Sequence, residues 1–321
     1  MGKRETVVKY MEAFKKKLCD AESCPSDSSL RTYAYAISWL EDRMEFPEGK
    51  IPPCEDILEY LENAKVTNTR RAAVYTALKK WYGSCGDRCN CEKYSGPLVR
   101  AKQALDADYR KQKRNDKQSK NWVEHTDLKK FANQIRDETF KLDKHTFWSK
   151  EQFMRGQLAF ILLFHLRYPI RRDLATVKWT SKKKHEWSAE DNYLDPEKKQ
   201  IVLQRHKVWK HKGTVSFTLS RQLWRLWSLL RRQHIKREIK GGKILLNKHY
   251  KGMTPNGFSS WMSREMKQCP GCEKKKISCM IIRHCCITHK RRHEMTNEQK
   301  KKFASECMHS EKTNNQYRTH K

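Results

Sequence analysis

Apolar and polar positions in the first third of the chain recur with helical spacing. In SLRTYAYAISWLEDRM, Leu30, Tyr33, Ala34, Ile37, Leu40 and Met44 follow one another at mostly three- and four-residue steps, the stripe that an amphipathic helix buries. Ser28 or Ser29 is a natural N-cap for it. Pro47, Pro52 and Pro53 mark a loop before a further helix at about Glu55 to Glu62. TNTRRAAVYTALKKWYG predicts another, with Thr67 or Asn68 as cap and Gly83 as stop. A fourth, Pro97 to Lys113, runs into the hydrophilic stretch KQKRNDKQSKNW, which reads as a linker.

After Trp122 the pattern changes. Gln152 to Tyr168 is a largely apolar helix ended by Pro169, because proline disfavours helical geometry at the residue before it. Arg171 and Arg172 open the next short helix, DLATV. Gln200 to Lys207 and Gly213 to Ser220 read as two strands of a hairpin. Val215, Phe217 and Leu219 alternate there with Thr214, Ser216 and Thr218, the period of a half-buried strand. The turn between the strands, KVWKHKG, is crowded with lysine. Helices follow at Arg221 to Lys236, at about Asn256 to Lys267, and from near Ser278 through Arg283. TNEQKKKFASEC opens with a capping-box signature, Thr296 and Gln299. The expected fold is mainly α with a small β-hairpin or sheet (α+β). It divides into a helical domain over 1–115, a linker over 116–124 and a second domain over 125–321.

Composition narrows the partners. A chain of 321 residues is long for one core, which supports two domains. The formal net charge of +32 exceeds what solubility requires and points to a polyanion, DNA or RNA first. A membrane surface is the rival polyanion, but the longest apolar run, Leu158 to Phe164, is far shorter than the roughly 20 residues of a spanning helix. The start MGKRET fits the myristoylation pattern through Gly2 and Thr6. The 12 cysteines, with no secretory signal before them, imply a reducing, intracellular compartment and free thiols or metal ligands. Cys269, Cys272, Cys279 and Cys285 are candidate structural zinc ligands, near His284, Cys286 and His289. The same cysteines would serve equally as small core residues. Cys85, Cys89 and Cys91 have no nearby histidine and read as a loop.

Four features stand in a definite order: an arginine after a helix-ending proline, a lysine in a hairpin turn, an arginine in a late helix, and His309 ahead of Tyr317. Together they resemble the tyrosine recombinase (phage integrase) family, in which a helical domain and a mixed catalytic domain clamp a DNA duplex. YPIRRDLATVKW resembles the family's first box, with Arg171 as the catalytic arginine and Arg172 as the adjacent alternative. RHKVWKHKG resembles the lysine-bearing hairpin, with Lys207 as the best match and Lys210 second. ISCMIIRHCCITH resembles the second box and places Arg283. MHS, Met308 to Ser310, resembles the third box, and Tyr317 falls where the nucleophile belongs. Met280 stands where the family often has histidine, and Met308 where it usually has glycine. Recombinases of large DNA viruses and Crypton-like mobile elements are looser at these points, and QSKNWV resembles those groups.

The resemblance implies a chemistry that suits these residue types. A DNA phosphodiester is anionic, so attack on it needs fixed positive donors at the non-bridging oxygens, which Arg171, Arg283 and His309 supply. Tyr317 would form a 3′-phosphotyrosyl bond and conserve the phosphodiester energy, so that no ATP, metal or other cofactor is required. Lys207 would protonate the departing 5′ oxygen. With Met280 in place of histidine, His284, His309 or water would receive the tyrosine proton. The implied partner is double-stranded DNA, with no membrane association, in the nucleus or at a viral replication site for a eukaryotic or viral source. The four residues after Tyr317 are too few for a docking helix, so a monomer that assembles to a dimer or tetramer on paired DNA sites is expected. Two other readings share the constellation: a recombinase-derived DNA-binding protein without chemistry, and a relaxing enzyme of the type IB topoisomerase kind.

Overall fold

The computed structural model describes residues 3–18, 25–47, 50–179, 186–239, 242–291, 295–310, 313 and 317. Gly2, the residues 318–321 and the Lys210 side chain lie outside this set. The chain divides into two units, Met1–Lys111 and Gln112–Lys321.

The first unit is helical: α1 (Lys3–Leu18), α2 (Asp27–Met44), α3 (Cys54–Asn63), α4 (Asn68–Ser84), α5 (Arg88–Lys93) and α6 (Ser95–Arg110). Its core is the stripe read from sequence, Leu30, Ala34, Ile37 and Leu40 of α2, packed with Phe14, Ile57, Leu61, Val74 and Leu78. The α2 cap is Ser26, whose side chain accepts from the Ser29 backbone amide, and not Ser28 or Ser29. Capping there leaves Asp27 in the first turn, where a carboxylate complements the helix dipole. Thr67 caps α4. Gly83 does not stop that helix, which continues to Ser84.

The second unit is mixed. Its helices are α7 (Asp116–Lys120), α8 (His125–Lys141), α9 (Lys150–Arg167), α10 (Trp209–Lys212), α11 (Arg221–Lys236), α12 (Pro255–Glu265), α13 (Cys279–Lys290) and α14 (Asn297–Glu306). Its strands are β1 (Val177–Trp179), β2 (Asn192–Asp195), β3 (Gln200–Leu203), β4 (Val215–Thr218) and β5 (Gly242–Lys243), in the order β4-β3-β2-β1-β5. Only β1 and β2 pair in parallel. The molecule is thus α+β, mainly helical with a small mixed sheet. The stretch expected as a linker carries α7, held by a full capping box between Asn115 and Gln118.

The hairpin read from sequence is β3 and β4, with Ile201 opposite Phe217 and Leu203 opposite Val215. It is shorter than expected because β3 leaves the ladder after Leu203. The Arg205 amide bonds to Asn192 Oδ1 at 2.8 Å instead. Helix α9 is buried almost all round. It packs with α8, α11 and the sheet into one core that includes Trp148, Phe160, Leu226, Trp227 and Phe258.

Cys269, Cys272, Cys279 and Cys285 are all buried in that core. No group of three or more His, Cys, Asp or Glu among the described residues is placed to hold a metal ion. Burial pushes the Cys269 and Cys279 thiols up to about 12. No described helix is long and apolar enough to cross a membrane.

Candidate active site

Five segments of the second unit converge. The turn after α9 brings Arg171. Pro169 ends α9 at Tyr168, whose hydroxyl donates to the Thr218 carbonyl at 2.9 Å and ties the turn to β4. Leu174 and Ala175 bury the following 3-10 turn (Arg172–Thr176) and hold Arg171 half-buried at its start. The adjacent Arg172 is exposed and reaches Asn256 Oδ1 on α12 at 2.6 Å. Arg171 and Arg283 are close enough for their charges to oppose each other, and both act on Asp173. Burial raises the Asp173 carboxyl, while His206, Arg171 and Arg283 pull it down.

Arg283, on α13, is 0% exposed. Its Nη2 donates to the Cys307 carbonyl at 2.6 Å and to His309 Nε2. Its Nε and Nη1 are buried with no hydrogen-bond partner among the described residues. Burial pulls the guanidinium down to about 10, with Arg171 adding to the shift and Tyr317 opposing it, so it stays charged at neutral pH. Each unsatisfied buried donor costs roughly 1–3 kcal/mol, more on a charged group.

His309 follows α14, which ends in a Schellman motif: the His309 amide bonds to the Ala304 carbonyl and the Met308 amide to the Ser305 carbonyl, each at 2.8 Å. Met308 sits at φ 56°, the left-handed region that favours glycine. Met308 must therefore strain to form this helix terminus. Because Arg283 donates to His309 Nε2, the neutral ring carries its proton on Nδ1.

Tyr317 lies against this group. The Arg283 guanidinium carbon is 4.9 Å from its ring centre, and the His309 and His284 rings are centred 4.4 and 4.5 Å away. His284 Nδ1 lies 3.0 Å from the Tyr317 carbonyl, and burial lowers the imidazole's proton affinity. Met280 is 41% exposed and takes no part in the cluster.

Among the described residues, Lys212, which the sequence did not single out, reaches the cluster. Its Nζ donates to the His309 carbonyl at 2.6 Å, and burial lowers its pKa. Lys207 is exposed and makes no hydrogen bond or ion pair among the described residues. The loop turns at Gly213, with φ 62° and ψ −153°, a conformation open essentially to glycine alone. The Gly213 carbonyl accepts from His206 Nε2 at 2.9 Å. The available signal was the glycine: Lys212 is the lysine that this forced turn fixes in place.

No protein-family model matches the chain, and no curated protein matches it. Among solved structures, it is similar to XerA recombinase, at 12% identity and a TM-score of 0.41, over 98% of this chain and 94% of that one.

Proposed function

We propose that this protein cuts and rejoins double-stranded DNA through a transient 3′-phosphotyrosyl bond at Tyr317. The observation that carries the reading is the unsatisfied half of Arg283. Two donors of a fully buried guanidinium stand unpaired beside a tyrosine, a histidine and a second arginine. A phosphodiester's non-bridging oxygens would accept from these donors, and a guanidinium's fixed planar donors suit them better than an ammonium.

In the cleavage step the Tyr317 oxygen bonds to phosphorus and the bond from phosphorus to the 5′ oxygen breaks. Arg171, Arg283 and the His309 Nδ1–H hold the charge that builds on the non-bridging oxygens. Lys212, its charge weakened by burial, gives a proton to the leaving 5′ oxygen in the role expected of Lys207. The phenol proton passes to water at the half-buried Tyr317. Rejoining reverses each transfer, so the bond energy is kept and no nucleotide is hydrolysed.

The surplus of basic residues binds the duplex without reading its sequence. The test is covalent trapping on a nicked duplex that loses its 5′ product strand, with Tyr317→Phe as the control.

A further inference from the structure

The polarity of the hydrogen bonds behind Tyr317 is fixed by a helix cap some two hundred positions earlier in the chain. In the α7 capping box, Gln118 Oε1 accepts from the Asn115 amide at 3.0 Å, and the Gln118 amide donates to Asn115 Oδ1 at 2.8 Å. The side-chain oxygen is thereby committed, so the Gln118 group 3.3 Å from His284 Nε2 is the NH2. An NH2 only donates, so His284 Nε2 accepts and its proton sits on Nδ1. That Nδ1–H donates to the Tyr317 carbonyl at 3.0 Å, while the imidazole stacks on the Tyr317 ring at 4.5 Å.

We propose that Gln118 and His284 are positioning residues that seat Tyr317 against the arginines of its own chain, the cap of α7 setting the direction of every bond in the relay. Both imidazole nitrogens are then occupied, so His284 holds the nucleophile's backbone and does not take its proton. Protonating Nε2 would set two N–H groups against each other, and turning the Gln118 amide to relieve this would break the α7 cap. The catalytic consequence rests on the function proposed above, whereas the bond polarity does not.

The discriminating variant is Gln118→Glu. Glutamate at this position still completes a capping box, so α7 folds, but it presents only acceptors to His284. Nitrogen NMR of the DNA-free protein near neutral pH reads the outcome directly. Wild type should show a neutral His284 protonated on Nδ1, and Gln118→Glu should show the proton added at Nε2. A wild-type ring protonated on Nε2, or an unchanged ring in Gln118→Glu, overturns the relay whether or not the protein cleaves DNA. On a cleavable duplex, His284→Phe keeps ring stacking and loses the donor. It should slow single-turnover cleavage about ten- to a hundredfold, the scale of a misplaced reacting group, with duplex affinity changed less than about twofold. Full cleavage by His284→Phe contradicts the positioning role. If wild type shows the expected tautomer and forms no adduct, the relay stands and the recombinase reading fails.

Discussion

Arg283 and His309, 26 residues apart in sequence, meet through a buried hydrogen bond in which the guanidinium Nη2 donates to the imidazole Nε2. That bond uses one arm of the guanidinium, and Nε and Nη1 have no partner among the described residues. Arg283→Lys keeps the charge but loses the fixed planar donors. It should lower cleavage by about a hundred- to a thousandfold, on the order of 2.7–4 kcal/mol of transition-state stabilisation. Duplex affinity should change little, because many other cations contact phosphate. Rate and affinity measured on the same duplex test this, and equal losses in both would favour a DNA-binding protein without chemistry.

The two lysines separate by leaving group. Lys212→Ala should suppress cleavage by orders of magnitude, and Lys207→Ala should leave it within a few-fold. A duplex with sulfur at the 5′ bridging position needs no proton on departure, so it should restore Lys212→Ala specifically. Restoration of Lys207→Ala instead would return the acid role to the residue that sequence favoured.

Met308 combines a strained backbone with a side chain only 2% exposed. Glycine would relieve about 1–2 kcal/mol of left-handed strain, yet emptying a buried methionine site costs roughly 2–5 kcal/mol. Packing wins, so Met308→Gly should be destabilised. Met308→Ala should be worse still, by about 1 kcal/mol, since it loses the packing and keeps the strain. Alanine below glycine in denaturant melts confirms this account of the helix end, and the opposite order refutes it.

Much of this architecture was legible in the sequence. The apolar stripe of α2, Pro169 at the end of α9, the hairpin alternation and the Thr296 capping box are local patterns, and local patterns set local structure. Other features depend on partners distant in the chain. The strand β3 ends early because Asn192 captures the Arg205 amide, and α7 forms in a hydrophilic stretch through its capping box. Lys212, and not Lys207, meets the His309 carbonyl because the loop folds into α10 and turns at Gly213. Spacing alone showed neither which lysine a loop points inward nor that Gln118 would meet His284.

His165 and His234 are both fully buried, and burial pulls each down to about 4 from an ordinary value of 6.5. Each folded-state pKa lies below the unfolded one, so the stabilising neutral form is complete above pH 6.5 and stability falls as pH drops from 6.5 toward 4. The loss is on the order of 3 kcal/mol per histidine. Denaturant melts across that window should show the decline, and His234→Gln should flatten it. A pH-independent midpoint would contradict the buried neutral assignment.

The central claim is that Tyr317 bonds covalently to DNA. Incubating the protein with a nicked duplex that sheds its 5′ product strand, in EDTA, and mapping the adduct by peptide mass spectrometry tests it most directly. The account predicts one modified peptide carrying a 3′-phosphoryl nucleotide on Tyr317, absent from Tyr317→Phe and retained without divalent metal. An adduct on another residue, an adduct that survives in Tyr317→Phe, or cleavage that leaves no protein–DNA bond would contradict it.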